Sequence, residues 1–237
     1  MENLIDLAAA YRILAEHDVI DAYGHVSIRS ERNPNRYFLA KHLAPELVLP
    51  DDIIEYDLDS NPIDANGRES VRERFIHGEI YKARAEVMSV VHNHSHSVVP
   101  FSITGQPLRA IFHMAAFIGK GVPNYEIRDF EEGTDLLVKT PYLGRSLAQT
   151  LKNAPAALMR GHGAVVVGES LPRAVGRSIY LELSAKMQMQ AMLINRPGEK
   201  LMTLDDKEVN ASVPNQNYNR AWPMWRTRAL AQMGIKG

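Results

Sequence analysis

The β-branched, apolar run "VMSVV", Val87 to Val91, leads straight into "HNHSHS", which sets His92, His94 and His96 at alternating positions. Imidazoles are poor core material, so a fold that buries this run must also give the rings something to do at its end. The run is short and suits a pleated surface, so it reads as a buried strand. On a strand, residues two apart point to one face, and His92 and His94 would present neighbouring rings where the strand stops. Two neutral imidazoles at that spacing can chelate a divalent cation, whereas two protonated ones repel each other. None of the 237 residues is cysteine, which excludes disulfides and thiolate chemistry and makes any metal site one of nitrogen and oxygen.

Around this strand the chain alternates helical and extended patterns. Leu4, Leu7, Ala8, Tyr11, Leu14 and Ala15 recur at helical spacing and predict an opening helix over 4–16. "AYGHVSIRS" and "RYFLAK" read as short strands joined by the turn-rich "ERNPN", and "DDIIEYDLDSNPID" as a strand running into a turn. The pattern is helical again from Ser70 to Arg84, with Ser70 and Glu73 at capping-box spacing. Segment 95–104 reads as helix, and "RAIFHMAAFIG" is ambiguous. A helix over 143–152 precedes a strand "AALMR", a tight "GHG" turn and a second strand "AVVVG". Leu171 to Ile194 is the longest helical pattern, with Pro172 in its first turn. From Arg196 onward the chain is polar and reads as loop.

With 45% hydrophobic residues, no internal repeat and no low-complexity linker, residues 1–237 read as one α/β domain, in which 196–237 form a tail packing near the site. Charged residues make up 23% and the net charge is −1, without the basic surplus that announces nucleic acid or a polybasic block for an anionic membrane. No apolar run approaches the roughly 20 residues of a membrane-spanning helix. The acidic, amphipathic N-terminus is unlike a signal peptide. These features predict a soluble, cytoplasmic globular protein.

A third nitrogen ligand must come from elsewhere, and His162 in "RGHGAVVVG" is the best candidate, since flanking glycines let the ring project into a cleft. Three histidines with an open position make a catalytic arrangement, not a closed structural one. Taken singly each feature has a plainer reading: a chance His-x-His pair, an exposed turn, and in Glu73 a capping or solvated helix residue. Together, "YGHVSIR", Glu73 ahead of an aromatic-containing helix, "VVHNHS" nineteen residues later and "RGHGAVV" form an ordered set.

From about Leu4 to Asn195 that set resembles the class II aldolase/adducin family, which includes fuculose phosphate aldolase and ribulose phosphate epimerase. The resemblance implies a three-layer α/β/α fold around a central mixed, mostly antiparallel sheet. It implies that His92, His94 and His162 hold a divalent cation. Glu73 would be a proton carrier, or an extra ligand that withdraws when substrate arrives. The implied assembly is a homotetramer with active sites at subunit interfaces. Three imidazoles with oxygen suit Mn²⁺ or Zn²⁺, and Fe²⁺ or Co²⁺ as well.

The sugar phosphate aldolases of this family hold phosphate with a Gly-Asn turn, a Thr-Gly turn and a Ser-Ser pair before the glutamate. Here those stretches read Gly24-His25, "AKHLAP" and Val71-Arg72, so His25, Lys41, His42 and Arg72 replace small neutral donors. A guanidinium fork is well shaped for a planar carboxylate. His113, in "LRAIFHMAAF", stands near the place where those aldolases carry a tyrosine proton donor, and a histidine can do acid work at neutral pH. These departures resemble the family's decarboxylases of hydroxylated aromatic dicarboxylates, such as 3,4-dihydroxyphthalate or 3-hydroxy-2-methylpyridine-4,5-dicarboxylate. On that resemblance Glu73 or His113 is the catalytic proton donor. Arg72, Lys41 and His25 hold the second carboxylate, and Tyr218, with Trp222 and Trp225, either stacks on the substrate ring or pins the tail. Cleavage of a sugar phosphate or hydroxy-keto acid, and a non-catalytic module like the adducin head, are the alternatives. His96 is expected beside the ligands and not among them; His77, one turn after Glu73, faces either the cleft or solvent.

Overall fold

A computed structural model of the chain describes residues 4–196 and 198–235. Seven strands, β1 (His25–Arg29), β2 (Arg36–Ala40), β3 (Ile53–Asp57), β4 (Ser89–Asn93), β5 (Asn124–Tyr125), β6 (Ala156–Met159) and β7 (Gly163–Gly168), form one sheet in the order β3-β2-β1-β4-β7-β6-β5. All neighbours run antiparallel except the short parallel pair β5–β6, so the sheet is mixed and mostly antiparallel, as the family resemblance implies.

The sheet is the middle of three layers because its central strands are apolar on both faces. Val91, Ala156, Leu158, Ala164 and Val166 point to one side, where they join α1 (Leu4–Glu16) and α5 (Leu171–Ile194) in one core. The residues between them, Val90, Ala157, Met159, Val165 and Val167, point to the other side and pack with α2 (Arg74–Ala83) and α4 (Pro141–Leu151). The side-chain period of two therefore builds two cores from one set of strands. A single-turn α3 (Val99–Ile103) lies within the stretch expected to be helical over 95–104. Among the described residues no helix is long and apolar enough to cross a membrane.

Helix ends follow local chemistry. Thr140 accepts from the Leu143 N–H at 3.3 Å with Pro141 next to it, and Ser170 accepts from the Arg173 N–H at 3.3 Å ahead of Pro172. The expected capping box at Ser70 and Glu73 does not form. The helix starts at Arg74, Glu73 gives no capping bond, and Ser70 Oγ instead accepts from the Tyr56 hydroxyl at 2.9 Å. A carboxylate caps a helix only when no stronger partner claims it, and Glu73 is claimed elsewhere.

The tail is also more ordered than its polarity suggests. Asp205 and Glu208 make a reciprocal capping box that opens α6 (Asp206–Ser212), and α7 (Ala221–Gln232), packed beside α1, buries Trp225, Ala229 and Leu230, the first two as part of the core. Its apolar residues are too few to look amphipathic in sequence, yet enough to bury one face.

β6 and β7 form a hairpin whose turn is Arg160, Gly161 and His162, with Met159 paired to Gly163. Gly161 takes φ +64°, a left-handed conformation that the turn requires. At Gly163 the constraint is contact: an added Cβ would overlap the Asn93 carbonyl oxygen. Gly163→Ala is therefore expected to push β7 away from β4. The cost is about 3 kcal/mol, at the upper end for overpacking, which lowers Tm by about 6–12 °C in a chain of this size. Differential scanning fluorimetry checks this; an unchanged Tm would mean that the two strands have slack.

Candidate metal centre and its cleft

Three elements meet at one end of the sheet. β4 ends with His92 pointing toward the α2 side, and His94 follows one residue beyond the strand. The β6–β7 turn brings His162, and the residue before α2 brings Glu73. His92 Nε2 and His162 Nε2 lie 3.2 and 3.1 Å from His94 Nε2, and Glu73 Oε2 is 3.6 Å from both His92 and His162. Four potential ligand atoms thus fall within 4.8 Å of one another. His92 is fully buried and Glu73 nearly so, while His94 and His162 are half-buried.

The outer hydrogen bonds say what this cluster needs. His92 Nδ1 faces the Ala164 carbonyl at 3.2 Å, and His162 Nδ1 faces the Leu136 carbonyl at 3.0 Å. A carbonyl only accepts, so in both rings Nδ1 carries the hydrogen and Nε2 presents a bare lone pair. Two bare nitrogens converge on His94 Nε2, which can hold one hydrogen at most. One repulsive contact is left unless a cation sits among them. Burial, then the neighbouring imidazoles, hold His92 well below its usual pKa and bring His94 down to about 4. His92 and His94 are therefore neutral near pH 7, the state a metal ligand must have. The donor set, three nitrogens and a carboxylate oxygen, fits a divalent cation.

Burial raises the Glu73 carboxyl above its usual range, opposed by His162 and by the Val138 N–H, which donates to Oε1 at 2.8 Å. A cation among the imidazoles would favour the ionised form. The same group can therefore hold a proton or act as a ligand, depending on what shares the site.

A cleft of about 630 Å³ opens beside the cluster, lined on its polar side by Tyr23, His25, His42, Arg72, Glu73 and His94. Ala22, Leu43, Ala44, Val71 and Leu137 supply apolar walls. Arg72 is exposed and makes no ion pair among the described residues. His25 is paired with His92 across β1 and β4. Tyr23, whose ring is 6.3 Å from that of His94, had no signal in the sequence beyond its place ahead of Gly24-His25.

Other expected site residues lie elsewhere. Lys41 is tied to Asp52 at 2.7 Å and lines no part of the cleft. Within one chain Tyr218 is also remote: it lies over Gly176 and stacks on Tyr180 at 5.9 Å. Trp225 meets His17 edge-on at 5.4 Å, so these aromatics pin the tail. His113 is exposed, at the start of a 3-10 turn beside Phe112. His96 is exposed, while His77 is fully buried and bonded to His25.

Residues 5–189 match the model of the class II aldolase and adducin N-terminal domain family. The chain belongs to this family. Among its relatives, the decarboxylase tropJ of Talaromyces stipitatus is 36% identical over 236 residues, covering 90% of this chain and 88% of its own. The 3,4-dihydroxyphthalate decarboxylase of a Terrabacter species is 27% identical, over 96% of this chain and 95% of its own. Among solved structures, L-fuculose 1-phosphate aldolase from Glaciozyma antarctica superposes with a TM-score of 0.78 at 23% identity, over 98% of this chain and 89% of that one. The fold is that of the class II aldolases, and the protein is an enzyme.

Proposed function

We propose that the protein is a divalent-metal-dependent decarboxylase of an ortho-hydroxylated aromatic dicarboxylate, of the kind exemplified by 3,4-dihydroxyphthalate or 3-hydroxy-2-methylpyridine-4,5-dicarboxylate. The observation that carries this reading is the juxtaposition of the Glu73, His92, His94 and His162 cluster with a cleft whose polar wall bears His25 and Arg72 between apolar walls. Such a cleft suits a flat ring with acid groups, and two relatives carry decarboxylase names.

His92, His94 and His162 would hold Mn²⁺ or Zn²⁺, with Fe²⁺ or Co²⁺ equally compatible with the donors. When bound, the cation supplies a sink for the negative charge left as a carbon–carbon bond breaks. Arg72 and His25 bind the carboxylate that stays, which fixes the one that leaves. The apolar side chains Leu43, Val71 and Leu137 exclude water from the ring face, which favours loss of charge as neutral CO₂. Glu73, ionised beside the cation, takes the proton of the substrate's ortho-hydroxyl; the C–C bond then breaks, its electron pair remains on the ring carbon, and the carboxyl of Glu73 returns that proton to the carbon. His113 is the other candidate donor. It is exposed on its own chain, and in a homotetramer it would serve a neighbouring subunit's cleft. We place the reaction in the cytoplasm.

The test is CO₂ release from 3,4-dihydroxyphthalate and the pyridine dicarboxylate, run beside cleavage of L-fuculose 1-phosphate. One CO₂ per substrate, abolished by a chelator and restored by Mn²⁺ or Zn²⁺, is expected. Cleavage of the sugar phosphate with no CO₂ from either acid would replace this reading with the aldolase.

A further inference from the structure

Behind His25, one wall of the cleft is backed by a buried file of hydrogen-bonding side chains, His77, Ser27 and Tyr81, that the proposed reaction does not use. His25 Nδ1 lies 2.6 Å from His77 Nε2, and His77 Nδ1 lies 2.6 Å from Ser27 Oγ. Ser27 Oγ in turn lies 2.7 Å from the Tyr81 hydroxyl. All four residues are buried, Ser27 and His77 completely. Two periodicities build the file: His25 and Ser27 share a face of β1, and His77 and Tyr81 are one turn apart on α2.

Each contact joins one donor to one acceptor, and the Ser27 hydroxyl hydrogen has only His77 Nδ1 or the Tyr81 oxygen to go to among the described residues, so the file of neutral groups runs in one of two directions. Its far end decides between them. The Tyr81 hydroxyl has no acceptor other than Ser27 Oγ among the described residues. Were Ser27 to donate to Tyr81, the phenolic hydrogen would be buried without an acceptor, a state that folded proteins avoid. Tyr81 therefore donates to Ser27, Ser27 to His77 Nδ1, and His77 Nε2–H to His25 Nδ1. His25 must then carry its own hydrogen on Nε2, which has no protein partner among the described residues and belongs to a ring lining the cleft.

We propose that Tyr81, Ser27 and His77 are positioning residues that fix His25 as a neutral hydrogen-bond donor, and that its Nε2–H selects an anionic carboxylate oxygen of the substrate. A bare nitrogen at this place would compete for a cation, because the His25 and His92 rings are only 5.0 Å apart. The fixed hydrogen keeps His25 out of the ligand set. It also allows a carboxylate to be recognised without burying a further charge beside the cluster. The direction of the file stands by itself; its assignment to a carboxylate rests on the decarboxylase reading.

Neutron diffraction from crystals of the metal-loaded wild-type enzyme reads the direction. Deuterium is expected on Nε2 of both His25 and His77; deuterium on His25 Nδ1 overturns the proposal. Calorimetric titration with phthalate, an unreactive aromatic dicarboxylate, reads the role. His25→Leu is expected to weaken phthalate binding by about 10- to 100-fold, the worth of a hydrogen bond to a charged group. His25→Gln, whose amide can donate, should recover most of that loss. Tyr81→Phe, which removes the terminal donor, is expected to weaken binding by about 10-fold with metal content unchanged. Undiminished phthalate affinity in both His25→Leu and Tyr81→Phe would sink the carboxylate role. Sugar phosphate cleavage without CO₂ release, combined with deuterium on His25 Nε2, would overturn the decarboxylase reading while leaving the fixed donor standing.

Discussion

His162→Ala is expected to leave a folded protein that no longer retains a stoichiometric divalent cation and has lost turnover by about a thousandfold or more. The magnitude follows from the several kcal/mol that a bound cation contributes to transition-state charge. His162 is chosen because its removal costs the fold little. It sits half-buried in a hairpin turn, and its ring makes no contact that the cores on either side of the sheet depend on. What it does supply is a lone pair 3.1 Å from His94 Nε2, oriented by the Leu136 carbonyl behind it. Elemental analysis after dialysis, CO₂ release and circular dichroism check the three parts separately. Full metal occupancy with full turnover in the variant would remove His162 from the ligand set and the cluster from the mechanism.

Glu73→Gln is expected to separate proton transfer from metal holding. The amide oxygen of the substituted side chain can still accept from the Val138 N–H, so the backbone before α2 stays where the carboxylate now holds it at 2.8 Å. The exchangeable proton is lost, and kcat should fall by about 10²- to 10⁴-fold, the usual worth of a positioned acid. Metal content should stay near the wild-type value, because three imidazoles remain. Single-turnover measurements under saturating substrate give the chemical step directly. If that rate is unchanged, Glu73 carries no proton and the role passes to His113, which His113→Phe would then abolish.

Much of this site could be read along the chain because its residues obey short-range periods. "SVVHNH" places His92 at the end of a buried strand with His94 just beyond, and "RGHG" needs only its glycines to mark a tight turn that projects a ring. Three features were hidden for physical reasons. Ser70 and Glu73 look like a helix cap, since capping and ligation use the same side chains. Only the approach of Val138, His92 and His162 decides which use prevails. β5 is two residues long, below the length at which any alternation can show. α7 buries Trp225, Ala229 and Leu230 although it reads as polar, because its apolar contacts depend on where α1 lies.

The file behind His25 had a legible half. Glu73, just ahead of α2, and His77 and Tyr81 on it recur every four residues, and His25 and Ser27 alternate on β1. That α2 lies against β1, so that this repeat meets the alternation, is a property of packing.

The sequence by itself determined the chemistry on offer: nitrogen and oxygen ligands without thiols, the strand that ends in His92, the glycine-flanked turn at His162, and the family to which the order of these residues belongs. These are matters of composition and local period, which the backbone carries within a few residues. Only the tertiary structure decided that Glu73 abandons its helix to face the imidazoles, that Lys41 and Tyr218 lie apart from the cleft of their own chain, and that His25 is held from behind by His77. Each of those outcomes is a competition between partners brought from distant strands and helices, and such competitions are settled by distance in space.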